Sequence, residues 1–427
     1  TLFSFNSALI RRMKTMAEAA KNASRIFANA PTKQKDHALA AMALSLREAT
    51  AAICHANSED VAAAKEAGLS SAFIDRLTLD VARVNDMANA VDSIRLLDDP
   101  IGEVTSVARR PNGLEVRKVR APLGVILMVY ESRPNVTSDA AALCLKSGNA
   151  AILRGGSESF RTTRAVGNAL HAGLVAAGLP PAGISLVPTT DRDSLKELLS
   201  LSGTIDLCIP RGGEGLIRFV TDHSKIPVIQ HYKGVCHVYV HEDADVDMAL
   251  NIVVNAKTSR PGVCNAAECL LVDRQIAPKF LPKVATALVS RGVELRACPT
   301  SFLLLQQASI AVTPAQELDF GCEFLDLILA VRVVDDINAA VAHIAKYGSL
   351  HTEAVVTNNL AAARRFSSEV IASAVIVNAS TRFNDGGELG MGAEIGISTS
   401  RLHAFGPMGL RELTCQKYIL EGSGQVR

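Results

Sequence analysis

The sequence predicts an α/β protein made of two doubly wound domains with parallel sheets, plus a small β arm. Three observations predict it. From Pro122 onward, short apolar runs alternate with helix-period segments, the pattern of parallel strands joined by crossover helices. The alternation is completed once before residue 235 and begins again after it. A basic stretch around Pro111-Asn112-Gly113 carries the turn chemistry of a hairpin rather than of a crossover.

Composition narrows the function classes. At 427 residues, with 48% hydrophobic and 20% charged positions, the chain can bury two or three sizeable cores. Lys+Arg 44 against Asp+Glu 43 leaves a formal charge of +1, so no global field recruits nucleic acid or an anionic membrane. Trp is absent and aromatics make up 4%, which argues against base-stacking surfaces. Nine Cys stand singly, none at zinc-ligand or CxxC spacing, so reduced thiols and no metal are expected. The N-terminus sets apolar Leu2-Phe3 before Arg11-Arg12, the reverse of a secretory signal, and the longest apolar run, Ala121 to Tyr130, is too short to span a bilayer. A cytoplasmic location is expected.

In chain order, Leu39, Met42, Ala43, Leu46, Ala49 and Ile53 keep one apolar stripe at helical spacing. Asn57-Ser58-Glu59-Asp60 offers an N-cap for a helix ending at Gly68. Asp98-Asp99-Pro100 ends the helical region. Val104 to Arg110 and Leu114 to Arg120 form the hairpin, read either as a projecting arm or as solvated edge strands. The first sheet is expected to contain Gly124–Val129, Ala150–Leu153, Ile184–Val187 and Ile205–Ile209, closed by Pro227–Ile229. The second takes His237–Val240, Cys269–Val272, Leu327–Val333, Ala354–Thr357 and Ala374–Val377. Lys417–Leu420 reads as a last exposed strand.

Three turns carry candidate chemistry. Arg154-Gly155-Gly156-Ser157 and Arg211-Gly212-Gly213 each follow a strand and open a helix. Glycine there admits a pyrophosphate to a helix N-terminus, or serves a tight turn and nothing more. Neither is GxGxxG, but two such turns in one sheet favour a nucleotide cofactor. The third is Ser259-Arg260-Pro261-Gly262-Val263-Cys264-Asn265, which puts a thiol on a loop between helix and strand. Lys257 and Arg260 upstream would favour the thiolate. Cys264 reads as a nucleophile or as a small buried loop residue.

With these placed, the chain resembles the γ-glutamyl phosphate reductases (glutamate-5-semialdehyde dehydrogenases), a family of the aldehyde dehydrogenase superfamily. Its motifs run in order from about Asn57 almost to Arg427. They include Tyr130-Glu131-Ser132-Arg133-Pro134-Asn135, Gly148-Asn149-Ala150 through Arg154-Gly155-Gly156, Arg260-Pro261-Gly262-Val263-Cys264-Asn265, Asn378-Ala379-Ser380-Thr381-Arg382-Phe383 and Gly390-Met391-Gly392-Ala393-Glu394.

The resemblance implies an aldehyde dehydrogenase-like fold: residues 1–105 and 122–235 bind NADP, 236–404 carry catalysis, and 106–121 with 405–427 form an oligomerisation hairpin and tail. It implies NADPH-dependent reduction of L-glutamyl 5-phosphate through a thioester on Cys264, by a stand-alone, homo-oligomeric enzyme fed by a glutamate 5-kinase. Arg154, Gly155, Gly156, Ser157, Arg211, Gly212 and Gly213 would hold the cofactor, Arg154 and Ser157 suiting a 2′-phosphate where the wider superfamily has a Lys and often an acid. Glu323 matches the glutamate that holds the nicotinamide ribose. Asn135 is the expected side-chain half of an oxyanion hole, or an N-cap; Arg260 and Arg382 are the expected substrate cations. Two departures stand out: no carboxylate in Val228-Ile229-Gln230-His231-Tyr232, where ordinary aldehyde dehydrogenases keep a general base, and Phe405 where the family usually has a basic residue. An aldehyde dehydrogenase that hydrolyses its thioester is the second reading, and an inactive relative the third.

Overall fold

The helical stripe of the first hundred residues is divided between two helices. The computed structural model describes residues 2–131, 133–230 and 232–427, so Ser132 and His231 lie outside it. After α1 (Leu2–Asn29), α2 (Thr32–Glu48) carries Leu39, Met42, Ala43 and Leu46, all fully buried; the chain turns at Ala49 into α3 (Thr50–Glu66), which buries Ile53. The expected cap at Asn57–Asp60 is instead the interior of α3. Asn57 and Asp60 are both buried. The Asn57 amide donates to the Leu77 carbonyl at 2.9 Å and accepts from Leu79 N–H at 2.7 Å, while Asp60 accepts from the Thr162 N–H at 2.8 Å. These residues satisfy backbone of other segments, a demand that local capping rules do not see. Short α4 (Ser71–Leu77) and α5 (Val81–Arg95) complete the helical part.

After a hairpin of β1 (Val104–Arg109) and β2 (Glu115–Pro122) comes the first parallel sheet. It contains β3 (Val125–Tyr130), β4 (Ala150–Arg154), β5 (Ile184–Leu186) and β6 (Leu207–Arg211), in the order β5-β4-β3-β6. Every residue of β3 and β4 is buried, which is why their sequences are apolar without alternation. Helices α6 (Asn135–Lys146), α7 (Phe160–Ala176), α8 (Arg192–Ser200) and α9 (Glu214–His223) connect these strands and follow the last. Strand order reverses beside β3, so the crevice at its carboxyl end is the topological switch point. Pro227–Ile229 makes only a single bridge, Val228 to Cys208, and is not a strand.

The second sheet holds β7 (Cys236–Val240), β8 (Ala267–Asp273), β9 (Glu294–Ala297), β10 (Thr313–Pro314), β11 (Ile328–Val334), β12 (Thr352–Val356) and β13 (Ala374–Val377). All pairs are parallel and the order is β10-β9-β11-β8-β7-β12-β13. Its helices are α10 (Val246–Thr258), α11 (Ala277–Val289), α12 (Pro299–Gln307), α13 (Ile337–Tyr347) and α14 (Leu360–Glu369). The two strands not foreseen, β9 and β10, lie at one edge of the sheet; β10 is two residues long and β9 interleaves Glu294 and Arg296 with apolar residues.

Two compact units result: Thr1–Gln230 with Met391–Gly396 and Met408–Arg427, and His231–Gly390 with Ile397–Pro407. Strands β14 (Gly396–Ser398) and β15 (Gly406–Met408) pair where the chain passes between them. The tail strand β16 (Thr414–Glu421) belongs to the first unit and lies antiparallel on β2, from Thr414 opposite Pro122 to Glu421 opposite Glu115. Hairpin and tail thus form one three-stranded arm, β1-β2-β16, in which β1 is wholly exposed. No helix among the described residues is long and apolar enough to cross a membrane.

Candidate active site

Cys264 sits half-exposed in the turn between α10 and β8. Pro261 prevents α10 from continuing, and the turn that follows is pinned by its own backbone and by neighbours. Ala266 N–H donates to the Val263 carbonyl at 3.0 Å. Asn265, buried, donates from Nδ2 to the Arg382 carbonyl at 3.3 Å and to the Asn384 carbonyl at 3.0 Å. Asn384 donates in turn to Thr352 Oγ1 at 2.8 Å, so the thiol-bearing turn and the Ser380–Phe383 turn form one hydrogen-bonded unit anchored on β12. On the other side the Cys236 thiol donates to the Cys264 carbonyl at 3.1 Å. A Cβ on Gly234 would stand 2.0 Å from that carbonyl oxygen, so only glycine admits the approach.

The charges around this turn are distributed differently from the sequence expectation. Lys257 does not act on the thiol as an isolated cation. It is buried and paired with the equally buried Glu268 at 2.7 Å, so the field of the one is cancelled by the other. Burial raises the Glu268 carboxyl and lowers the Lys257 ammonium, against the attraction between them. Glu268 also accepts from the Leu325 N–H at 3.2 Å, and Glu323 accepts from the Gly234 N–H at 2.9 Å. Glu323 therefore fixes the backbone that touches Cys264. Arg260 is exposed and Arg382 half-buried, and neither meets a carboxylate among the described residues. These two guanidiniums lie on the Cys264 turn and on the turn that Asn265 ties to it. Phe405 is 38% exposed. Gln230 Oε1 is buried with no hydrogen-bond partner, and His231 lies outside the described residues.

In the first unit the Gly-Gly turns do not use a left-handed backbone; what a Cβ would meet there is the Thr163 hydroxyl at Gly155 and the ends of flexible side chains at Gly156 and Gly212. A Cβ on Gly155 would stand 2.9 Å from Thr163 Oγ1, one on Gly156 2.2 Å from Glu158 Oε1, and one on Gly212 2.4 Å from Glu131 Oε2. Gly213 differs: no atom lies within 4 Å of its Cβ position, and its N–H donates to Glu131 at 3.1 Å. Arg211 ends β6 one residue before, its Nη1 2.8 Å from the Cβ position of Gly396. Arg154 turns inward, donating from Nη2 to the Thr190 carbonyl at 2.8 Å, and burial lowers its pKa. Beside it Ser157, Phe160, Arg161, Arg164, Asn168 and Thr190 line a groove of about 550 Å³. Arg161 is spent on Glu59 and Asp60 at 3.4 and 3.3 Å. Arg164 lies over the Phe160 ring at 5.8 Å and pairs with no carboxylate among the described residues. Sequence reasoning passed over Arg164; the available signal was two arginines three residues apart in the first turn of the helix that a Gly-Gly turn opens.

Asn135 is the first residue of α6, with Pro134 in the cap position, so the alternative reading as an N-cap does not hold. Its exposed amide donates from Nδ2 to Asp139 Oδ2 at 3.0 Å. Neighbouring atoms deprive Asp139 of water and push its carboxyl up to about 6, against the opposing effects of Asn135 and Arg211.

Fold and site together define the class of the aldehyde dehydrogenases: the model of the aldehyde dehydrogenase family matches residues 2–295. The γ-glutamyl phosphate reductase of Anaeromyxobacter sp. (strain Fw109-5) is 57% identical over 419 residues, 98% of either chain. The crystal structure of γ-glutamyl phosphate reductase from Thermotoga maritima superposes with a TM-score of 0.94 at 43% identity, covering 97% of this chain and 99% of that one. At 14% identity, a glyceraldehyde-3-phosphate dehydrogenase from Methanocaldococcus jannaschii, complexed with NADP, shares the fold with a TM-score of 0.68, covering 97% and 95%. The chain belongs to the aldehyde dehydrogenase family, in its γ-glutamyl phosphate reductase branch.

Proposed function

We propose that this chain reduces L-glutamyl 5-phosphate to L-glutamate 5-semialdehyde and phosphate, the reductive step of proline biosynthesis, with Cys264 as nucleophile. The observation that carries the reading is the Asn265 tether, which ties the Cys264 turn to the Arg382 turn. A thiol, Arg382 and the nearby Arg260 suit an acyl phosphate that also bears an α-carboxylate. The thiolate attacks the acyl carbon, the carbon–oxygen bond to phosphate breaks, and a thioester on Cys264 forms as phosphate leaves. The developing oxyanion needs N–H donors; the Cys264 N–H is one, and the Asn135 amide is the side-chain donor that the family resemblance implies. NADPH, when bound, supplies the hydride that takes the thioester to the aldehyde level. The carbon–sulfur bond then breaks, releasing the aldehyde and the thiolate.

The residues of the first unit fit NADP. Arg164, Ser157 and the Thr190 segment border a groove whose cation for a 2′-phosphate pairs with no carboxylate among the described residues, and the Arg211-Gly212-Gly213 turn leaves open space beside Gly213 at the switch point, its N–H held by Glu131. In this reading residues 1–105 and 122–235 serve the cofactor and 236–404 the chemistry. Residues 106–121 and 405–427 serve self-association, and a glutamate 5-kinase supplies the substrate. The exposed outer strand β1 supports the association. Deleting Arg109–Glu115 is expected to reduce the mass seen by light scattering to that of one chain; an unchanged mass removes this part. Nine thiols suit a reducing cytoplasm.

Run backwards, the reaction discriminates the two enzymatic readings. Glu268 is engaged by Lys257 and Glu323 by Gly234, and Gln230 offers only an amide. Among the described residues water therefore lacks the assistance typically worth about 10²–10⁴-fold, the His231 imidazole being the one remaining base that would supply it, whereas phosphate attacks a thioester unaided. Oxidation of glutamate 5-semialdehyde is expected to depend on added phosphate. Sustained turnover in phosphate-free buffer, yielding free glutamate, overturns the reading in favour of hydrolysis.

A further inference from the structure

We propose that His237, Cys269 and His343 form a buried site for one divalent metal ion of the zinc type, separate from the chemistry of Cys264. His237 on β7 and Cys269 on β8 are register partners on adjacent parallel strands, and His343 on α13 packs over them. All three are at least 95% buried. One ligand atom from each lies within 4.8 Å of the other two; Cys269 Sγ and His343 Nε2 are 3.7 Å apart. Zinc bonds of about 2.0–2.3 Å in tetrahedral geometry place such atoms about 3.3–3.6 Å apart, so contraction of the cluster supplies three of the four positions, with water as the fourth ligand.

Three further features point to an ion rather than to a hydrogen-bonded core. Among the described residues His237 Nε2 is buried and makes no hydrogen bond of ordinary geometry, its interaction being with the sulfur of Cys269, a weak partner, a cost that core polar atoms normally avoid. The opposite nitrogen, Nδ1, is held by Glu353 at 2.9 Å, and the same carboxylate oxygen accepts the His237 backbone N–H at 3.0 Å. This is the carboxylate–histidine arrangement that orients a metal-binding imidazole and makes it more basic. Finally the charges close: a divalent ion, the Cys269 thiolate and the Glu353 carboxylate sum to zero, whereas a monovalent ion leaves a buried negative charge. One sulfur with two imidazole nitrogens suits zinc better than magnesium or calcium, which take oxygen. His343 also borders a groove with Arg274, Arg332 and Lys346.

The test uses the full-length chain carrying Cys264→Ala, which removes the half-exposed thiol of the candidate active site, both as purified and after refolding with Zn²⁺ or Co²⁺, with Cys236→Ser as a control for the Cys236–His351 pair. One ion per chain is expected, with a thiolate-to-cobalt charge-transfer band in the near ultraviolet and a Tm above that of the chelator-treated protein. Cys269→Ser and His343→Gln are expected to lose the band, and Glu353→Gln to weaken zinc binding about 10–100-fold. Cys415→Ser, on the exposed tail, keeps it. Should Cys269→Ser fail to fold, zinc-edge X-ray absorption of the Cys264→Ala protein decides, one sulfur and two nitrogen ligands being expected. Absence of the band both before and after refolding, or equal zinc binding in Cys269→Ser, overturns the site.

Discussion

The thiol turn of the second unit and the glycine turns of the first are built on opposite plans. Around Cys264 the turn is held by a network of specific contacts: Asn265 holds two carbonyls, Asn384 a hydroxyl, Glu323 the Gly234 N–H, and Glu268 both Lys257 and the Leu325 N–H. Around Ser157 and Arg211 the turns lend space and charge, with Arg164 paired to no carboxylate among the described residues and open space beside Gly213. A nucleophile has to stand within a fraction of an ångström of its target, which demands a supporting network. A phosphate is recognised by field and by several interchangeable donors, which demands only cations and N–H groups within reach. One region is therefore expected to fail when its geometry is disturbed, the other when its charge is.

The largest effect tests the first half of that contrast. Cys264→Ala is expected to lower kcat on the order of 10⁴-fold or more while leaving NADPH affinity within about twofold of the parent. Asn265→Ala leaves the thiol intact but cuts its tether, and is expected to lower kcat about 10²-fold with little change in KM for NADPH. Stopped-flow measurement of phosphate release checks both. Near-normal release in Asn265→Ala would mean that the turn holds its place without the tether, and the contrast would collapse.

How much of this could be read beforehand follows the same division. Continuous apolar strands and helical spacing carried the two sheets, because burial on both faces leaves a local imprint. The Cys264 turn was legible because Pro-Gly and a loop thiol are local signals. Its support was not: Gly234, Asn384 and Glu323 reach it from segments distant in sequence, and Glu268, though near in sequence, acts through its pairing with Lys257. Lys257 illustrates the limit, since its neighbourhood to Cys264 in sequence suggested a field that Glu268 cancels in space. Asn57 and Asp60 illustrate it again, as apparent caps that serve other backbones. His237, Cys269 and His343 lie on three elements, at spacings no sequence pattern flags.

A smaller effect sharpens the second half. Arg154 is already committed to the Thr190 carbonyl, so Arg164 is the better candidate reader of a 2′-phosphate. Arg164→Ala is expected to raise KM for NADPH about 10–100-fold, the equivalent of one charge-assisted contact, and to leave kcat and the KM for NADH nearly unchanged. Equal losses for the two cofactors would show that the groove does not discriminate by phosphate.

The smallest expected effect concerns the one place where the open first unit does hold a catalytic candidate by a fixed contact. Asn135 has two amide hydrogens, and Asp139 Oδ2 takes one of them at 3.0 Å, which orients the other. Asp139 is half-buried, and the atoms crowded around its carboxyl raise it to about 6 from its ordinary 3.8, against the opposing effects of Asn135 and Arg211. Above pH 6 it is an anion and a strong acceptor; as pH falls through 6 it becomes neutral and its hold on the amide weakens. A hydrogen bond of about 0.5–1.5 kcal/mol corresponds to about 2–13-fold, so kcat is expected to fall by that order between pH 7 and pH 5. Asp139→Asn fixes the neutral state, and dividing the parent's pH profile by the variant's cancels every titration the two share. Stability runs the other way. Because the folded-state value is raised, the folded chain retains a proton that the unfolded chain releases, and stability contributed at low pH is lost as pH rises from about 3.8 through about 6. Asp139→Asn removes that loss, so its stability relative to the parent is expected to be greater at pH 8 than at pH 4 in denaturant titrations. A variant that is slower and also no more stable at pH 8, or a profile ratio flat across pH 6, would mean that Asp139 neither titrates there nor positions Asn135.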